Sequence, residues 1–177
     1  MGKSELRQEI KAVKRLLAEE TKIACAIAVK KAIEKNANFT SAKKILLYHS
    51  LPDELSTADM ITCWNEEKEI FLPSVDGDTI TIHKYTPEKM KIGAFGIKEA
   101  SGKIIPPEEI DLIIVPGVAF DEEKNRLGRG KGFYDKLLAN VKCYKIGIAY
   151  EIQIVNTIPC MPHDIKMDCI ITEKRAF

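Results

Sequence analysis

The chain has 177 residues, with 27 Lys and Arg against 26 Asp and Glu, a formal net charge of +1. That balance excludes the basic excess of a general nucleic-acid or membrane-surface binder, and 45% apolar with 30% charged residues excludes a disordered chain. The length suits one domain over residues 1–177, large enough to bury most of its apolar surface without disulfide or metal staples.

Two helices are expected first. Leu6, Ile10, Val13 and Leu17 recur at helical spacing between charges and form one apolar stripe. A second helix is expected over residues 21–36. The period then changes: residues 44–49 form a short apolar run of the kind that becomes a strand covered on both faces. Ser56 or Thr57 is placed to cap a helix reaching about Glu67. Residues 69–73 and 79–85 read as strands around an Asp76-Gly77-Asp78 turn. Residues 86–109, carrying Pro87, Gly93, Gly96, Gly102, Pro106 and Pro107, read as an irregular excursion. Residues 111–115 are the clearest buried strand, stopped by Pro116-Gly117. A long loop, a helix over 132–140 and strands over 144–150 and 168–172 complete the chain. Alternating strands and helices predict an α/β fold: a single three-layer domain with a mainly parallel central sheet flanked by helices.

No apolar run approaches the ~20 residues that cross a bilayer. The N-terminal MGKSELRQEIK has no apolar core of a secretory signal, and Leu6 stands where a myristoylation motif has Ser or Thr. The five cysteines, Cys25, Cys63, Cys143, Cys160 and Cys169, are scattered and never spaced as Cys-x-x-Cys, which argues against a disulfide framework or zinc site. Cys25, Cys143 and Cys169 lie in apolar stretches and read as small buried hydrophobes rather than nucleophiles. A cytoplasmic protein is expected.

Open α/β sheets bind ligands outside the carboxyl ends of their strands. Three polar clusters are expected at that edge: residues 49–54, residues 116–135, and His163-Asp164. The second is the richest. Gly128, Gly130 and Gly132 alternate with Arg129 and Lys131, with Arg126 just upstream. Glycines let backbone N–H groups close on a ligand, and a helix N-terminus adds partial positive charge. The result suits a polyphosphate; a solvated basic turn is the competing reading. No Ser or Thr follows Lys131, so this is not a Walker A loop, and the glycine spacing is not the dinucleotide fingerprint. Asp135 either pairs with Arg129 or Lys131 or holds a nucleotide's Mg²⁺, and spacing does not separate the two. Lys3 and Arg7 share a helix face near an N-terminus that disfavours cations; a bound anion explains them, while Glu5 and Glu9 neutralise them equally well, which slightly favours a solvated face.

The motif Val-Pro-Gly-Val-Ala-Phe-Asp at 115–121, followed by Asn-Arg-Leu-Gly-Arg-Gly-Lys-Gly-Phe-Tyr-Asp at 125–135, resembles the signature of the 5-formyltetrahydrofolate cyclo-ligase family. The resemblance extends over nearly the whole chain, through Lys-Ser-Glu-Leu-Arg at 3–7, Ser-Leu-Pro-Asp-Glu-Leu-Ser-Thr at 50–57, Gly-Ile-Lys-Glu at 96–99 and His-Asp-Ile-Lys-Met-Asp at 163–168. It implies that ATP and 5-formyltetrahydrofolate give 5,10-methenyltetrahydrofolate, ADP and phosphate with Mg²⁺ present, in a compact α/β domain. It further implies ATP contacts at Lys3, Ser4, Glu5, Leu6 and Arg7 and at Arg126, Leu127, Gly128, Arg129, Gly130, Lys131, Gly132, Phe133 and Tyr134. Arg129 and Lys131 are the implied catalytic cations. Glu54, Tyr134 and His49 are the implied substrate contacts, and Asp135 and Asp164 the implied magnesium carboxylates. The expected partners are these small molecules alone, without nucleic acid or membrane, in a monomer. A non-catalytic module that binds nucleotide or folate is the rival reading, and a structural domain with a self-paired basic turn the third.

Overall fold

A computed structural model describes residues 2–77, 79–92, 98–161 and 164–177. Asp78, Gly93, Gly96 and His163, each singled out above, lie outside the described residues. A seven-stranded sheet runs through the centre in the order β12-β10-β7-β1-β2-β3-β6. Its strands are β1 (Lys44–Leu46), β2 (Glu69–Asp76), β3 (Thr79–Lys84), β6 (Ile104–Ile105), β7 (Leu112–Val115), β10 (Tyr144–Ile148) and β12 (Cys169–Ile171). The five strands from β12 to β2 pair in parallel, while β3 and β6 add an antiparallel edge.

The strand sequences alternate between two cores. Ile45 and Leu47, Ile70 and Leu72, Leu112 and Ile114, and Ile146 and Ile148 share one face with the helices α2 (Glu19–Glu34), α3 (Ala37–Ser41) and α4 (Ala58–Trp64). Leu46, Phe71, Ile113, Val115 and Ile170 point to the other face, against Leu137 and Leu138 of α5 (Phe133–Asn140). Both faces being covered is why these strands read as continuous apolar runs. The three-layer expectation is thereby met. None of the described helices is long and apolar enough to cross a membrane.

Four local expectations are corrected. The helix α1 (Lys3–Lys14) ends before Leu17, and its buried stripe is Leu6, Ile10 and Lys14, with Val13 exposed. It packs on a small second sheet made by β8 (Ala119–Asp121), β9 (Arg126–Leu127) and β11 (Ile154–Val155), so its apolar face is narrower than a helix on the main sheet needs. Strands β8 and β9 lie inside what reads as a long loop after Gly117, and β11 in the stretch between the strands expected over 144–150 and 168–172. The excursion over 86–109 likewise holds the paired strands β4 (Met90–Ile92) and β5 (Lys98–Ala100), besides β6 at the main sheet's edge. Finally, Thr57 precedes α4 without capping it through its side chain; its hydroxyl instead donates to the Tyr48 carbonyl at 2.5 Å, and α4 stops at Trp64.

Cys25 and Cys169 are buried as expected, Cys143 is half-buried, and Cys63 and Cys160 are exposed. Burial pushes the Cys143 thiol up to about 11, which disfavours its thiolate.

Phe120 is fully buried where the two sheets meet. A Cβ on Gly147 would lie 2.6 Å from its ring and 3.1 Å from Met167 Cγ. Gly147→Ala therefore overpacks the core, at a cost of about 1–3 kcal/mol. Thermal unfolding of this variant is expected roughly 2–10 °C below that of the parent chain.

Candidate active site

The sheet order sets the location. The chain leaves β1 towards β2 on one side, while β7, β10 and β12 are laid down on the other. Strand order therefore reverses at β1, and a crevice opens outside the carboxyl ends of β1 and β7. A cleft of about 350 Å³ is lined there by Tyr48, His49, Leu51 and Glu54 after β1, and by Pro116, Gly117 and Val118 after β7. Pro73 and Val75 of β2, Ile80 of β3, Glu99 of β5 and the loop from Gly128 to Asp135 complete the lining, with Arg126. The size is that of a small-molecule site with apolar walls and a few polar groups.

The basic loop is launched from a rigid hairpin. Asp121, 1% exposed, accepts hydrogen bonds from the Asn125 N–H and side-chain amide and from the Ile158 N–H, each at 2.9 Å. Beyond β9 the backbone takes left-handed turns at Gly130 (φ 98°) and Gly132 (φ 70°), conformations that favour glycine. Gly132 is the N-cap of α5, and among the described residues no side chain caps that terminus. The first-turn amides and the positive end of the helix thus face the cleft at Phe133, Tyr134 and Asp135.

The three cations of the loop have different surroundings. Arg126 is buried; its Nη2 donates to Asp135 Oδ1 at 2.6 Å, its Nη1 to the Pro116 carbonyl at 3.3 Å, and its guanidinium lies 5.6 Å from the Tyr134 ring. Asp135 therefore pairs with Arg126, a partner that its spacing from the loop cations did not single out. Arg129 reaches across the cleft, donating through Nε (3.1 Å) and Nη2 (2.9 Å) to Glu54 Oε1 and through Nη2 to Asp53 Oδ1 at 2.6 Å. Lys131 is exposed at the rim, its ammonium 6.0 Å from the Phe133 ring.

Charges around Glu54 follow from these contacts. Burial alone would raise the Asp53 carboxyl, but Arg129 and Lys14 outweigh it and hold the group below the ordinary carboxylate range. Burial opposes the charge on Arg129, yet Asp53 and Glu54 hold it above its usual value. Burial, reinforced by Glu54, pushes the Tyr134 and Tyr48 phenols up. Both tyrosines are neutral hydrogen-bonding walls at neutral pH.

The first helix turn is not a solvated face. Lys3 Nζ donates to Asp164 Oδ2 at 2.7 Å, and Arg7 Nε donates to the Gly128 carbonyl at 2.8 Å. Both cations are directed at other parts of the chain, Arg7 at the basic loop itself, while Glu5 Oε2 accepts from the Gly2 N–H. Leu6 is core, and Ser4 is exposed beside it. Of the three polar clusters, the first two line one cleft. Asp164 is absent from that lining and accepts from Lys3 and the Met161 N–H. Sequence reasoning missed Lys14 and Ser74, and gave no role of their own to Asp53, within the 49–54 cluster, and Glu99. Glu99 is buried and accepts from the Ser74 hydroxyl at 2.5 Å; it stands in the Gly-Ile-Lys-Glu stretch, which alone hinted at it.

The profile of the 5-formyltetrahydrofolate cyclo-ligase family matches residues 1–173. The chain belongs to this family. It is 36% identical to 5-formyltetrahydrofolate cyclo-ligase of Haemophilus influenzae over 71% of this chain and 73% of that protein. It is 30% identical to a probable 5-formyltetrahydrofolate cyclo-ligase of Schizosaccharomyces pombe, covering 99% and 97%. Among solved structures, the 5,10-methenyltetrahydrofolate synthetase of Aquifex aeolicus superposes with a TM-score of 0.92 at 38% identity, over 99% of this chain and 92% of that one. The cleft at the β1/β7 switch is therefore the candidate active site of a cyclo-ligase.

Proposed function

We propose that the protein closes the ring of 5-formyltetrahydrofolate to 5,10-methenyltetrahydrofolate with cleavage of Mg·ATP to ADP and phosphate, as a monomeric cytoplasmic enzyme. The observation that carries this reading is one cleft in which a glycine and cation loop at a helix N-terminus faces Glu54 across tyrosine and aliphatic walls. A formyl group on N5 is an amide, whose oxygen leaves poorly. In the proposed route that oxygen attacks the γ-phosphorus and ADP departs. N10 then attacks the formyl carbon and loses its proton, and the C–O bond breaks as phosphate leaves with the oxygen. The protein's share is positioning and stabilising the moving phosphoryl charge. Lys131 and Arg129 take that role. The amides from Gly128 to Tyr134 cradle the phosphates, and α1 contributes Lys3 and Arg7. Glu54 accepts the paired N–H donors of the pterin's aminopyrimidine, with Tyr134 and His49 beside it.

Magnesium needs one or two carboxylates plus phosphate oxygens. Asp135 lines the cleft, partly exposed, and its pair with Arg126 engages Oδ1; this hard oxygen donor fits the ion. Asp135 would hold it, and the bound ion would neutralise phosphate charge; Asp164, the other implied carboxylate, lies outside the cleft lining on Lys3 and is not given that role.

The purified protein, given 5-formyltetrahydrofolate, ATP and Mg²⁺, is expected to generate the near-ultraviolet chromophore of the methenyl product, and to stop when nucleotide or metal is withheld. Ligand binding without turnover would return the chain to the class of binding modules.

A further inference from the structure

Lys14, the last residue of α1, is 4% exposed. A lysine ammonium is rarely buried so fully unless it is paired. Its Nζ donates to two atoms of one residue, the carbonyl oxygen of Asp53 at 2.7 Å and Oδ2 at 3.0 Å. It therefore fixes the backbone of Asp53 as well as its charge. The other carboxylate oxygen of Asp53 accepts from Arg129, which also holds Glu54. Two cations thus share Asp53, one buried and the other 45% exposed in its side chain. Arg129 is the one that must turn to a phosphate in the proposed reaction. When it does, Lys14 remains on Asp53.

The same helix touches the other half of the site. Arg7 donates to the Gly128 carbonyl in the nucleotide loop. Arg7 and Lys14 are seven residues apart, two turns on one face and about 10 Å along the axis. Ile10 between them, and Leu6 just before Arg7, are locked in the small core with Val118 and Leu127. The helix spaces the basic loop from the turn that carries Glu54.

We propose that Lys14 is a positioning residue for folate binding: through Asp53 it keeps the 51–54 turn, and with it Glu54, in register with the nucleotide loop after Arg129 lets go. This rests on the reading that Glu54 accepts the pterin.

The test is steady-state kinetics of Lys14→Met, which keeps the aliphatic stem and removes the ammonium, with Lys14→Arg as conservative rescue. Lys14→Met is expected to raise KM for 5-formyltetrahydrofolate by about tenfold, with KM for ATP changing less than about threefold and Lys14→Arg recovering most of the loss. A folate KM within about twofold of the parent's, or an equal rise in both KM values, overturns the proposal. If Lys14→Met does not fold, Asp53→Asn takes its place, because it removes the charge that Lys14 pairs with while leaving the ammonium the residue-53 main-chain carbonyl and an amide oxygen to donate to. A rise of at least about threefold in folate KM is then expected, and an unchanged KM overturns the proposal. Glu54→Gln runs alongside. If it leaves folate KM unchanged, the pterin reading itself is wrong; if it raises KM while Lys14→Met does not, only the role of Lys14 falls.

Discussion

Lys131→Ala is expected to lower kcat by roughly 10²–10³-fold, the loss typical of removing one group aimed at developing transition-state charge. Stability should hardly move, because the side chain is exposed on a glycine-rich loop and packs little. The comparison with its neighbours sharpens the expectation. Arg126 is buried against Asp135 and the Pro116 carbonyl, and its Nε has no hydrogen-bond partner among the described residues. Removing it would strand a carboxylate and perturb the floor of the site, so its kinetics would mix structure with chemistry. Arg129 is entangled with Glu54 and Asp53. Removing Lys131, exposed at the rim, leaves both of these carboxylate pairs in place. Single-turnover measurement of methenyl formation, together with a thermal melt, checks the prediction. An unchanged kcat takes Lys131 out of the mechanism.

Much of this architecture was legible because its causes are local. Residues 111–115 are apolar at every position but the first, and β7 is buried on both faces for that reason. The alternation of Gly128, Gly130 and Gly132 with cations is a backbone requirement written directly into residue type, borne by the left-handed turns at Gly130 and Gly132. What stayed hidden depends on partners distant in sequence. Lys14, in a helix full of charge, reads as exposed; it is buried because Asp53, 39 residues on, meets it. Three arginines and lysines in one loop look alike in sequence, and only Asp135 and Glu54 sort them into a buried support, a cross-cleft arm and a rim cation. The strands β8, β9 and β11 are two or three residues long and pair across up to about 30 intervening residues. Segments so short carry no period of their own, and pairing alone defines them.

Glu54→Gln is expected to raise KM for 5-formyltetrahydrofolate by about 10–100-fold, the equivalent of losing a charge-assisted hydrogen bond of roughly 1.5–3 kcal/mol. The geometry explains why an amide does not substitute. Glu54 Oε2 accepts from the Leu51 N–H at 2.9 Å, and Oε1 takes both contacts from Arg129. A glutamine must turn its NH₂ towards one of these donors, or towards the pterin's own N–H groups, and the acceptor pair becomes a mismatch. The effect belongs to the folate side, so KM for ATP should rise far less. The Arg129–Glu54 pair adds a second signature. In the free protein the carboxylate is already occupied by Arg129, and folate must displace a partner that bound nucleotide would draw away. Nucleotide should then tighten folate binding by a factor of about 5–150, the usual span of coupling between two sites. In Glu54→Gln the neutral amide holds Arg129 weakly, so that enhancement should shrink towards unity. Folate titrations with and without a non-hydrolysable Mg·ATP analogue, on parent and variant, measure both quantities. An undiminished enhancement in the variant would mean that Arg129 and the pterin do not compete for this carboxylate.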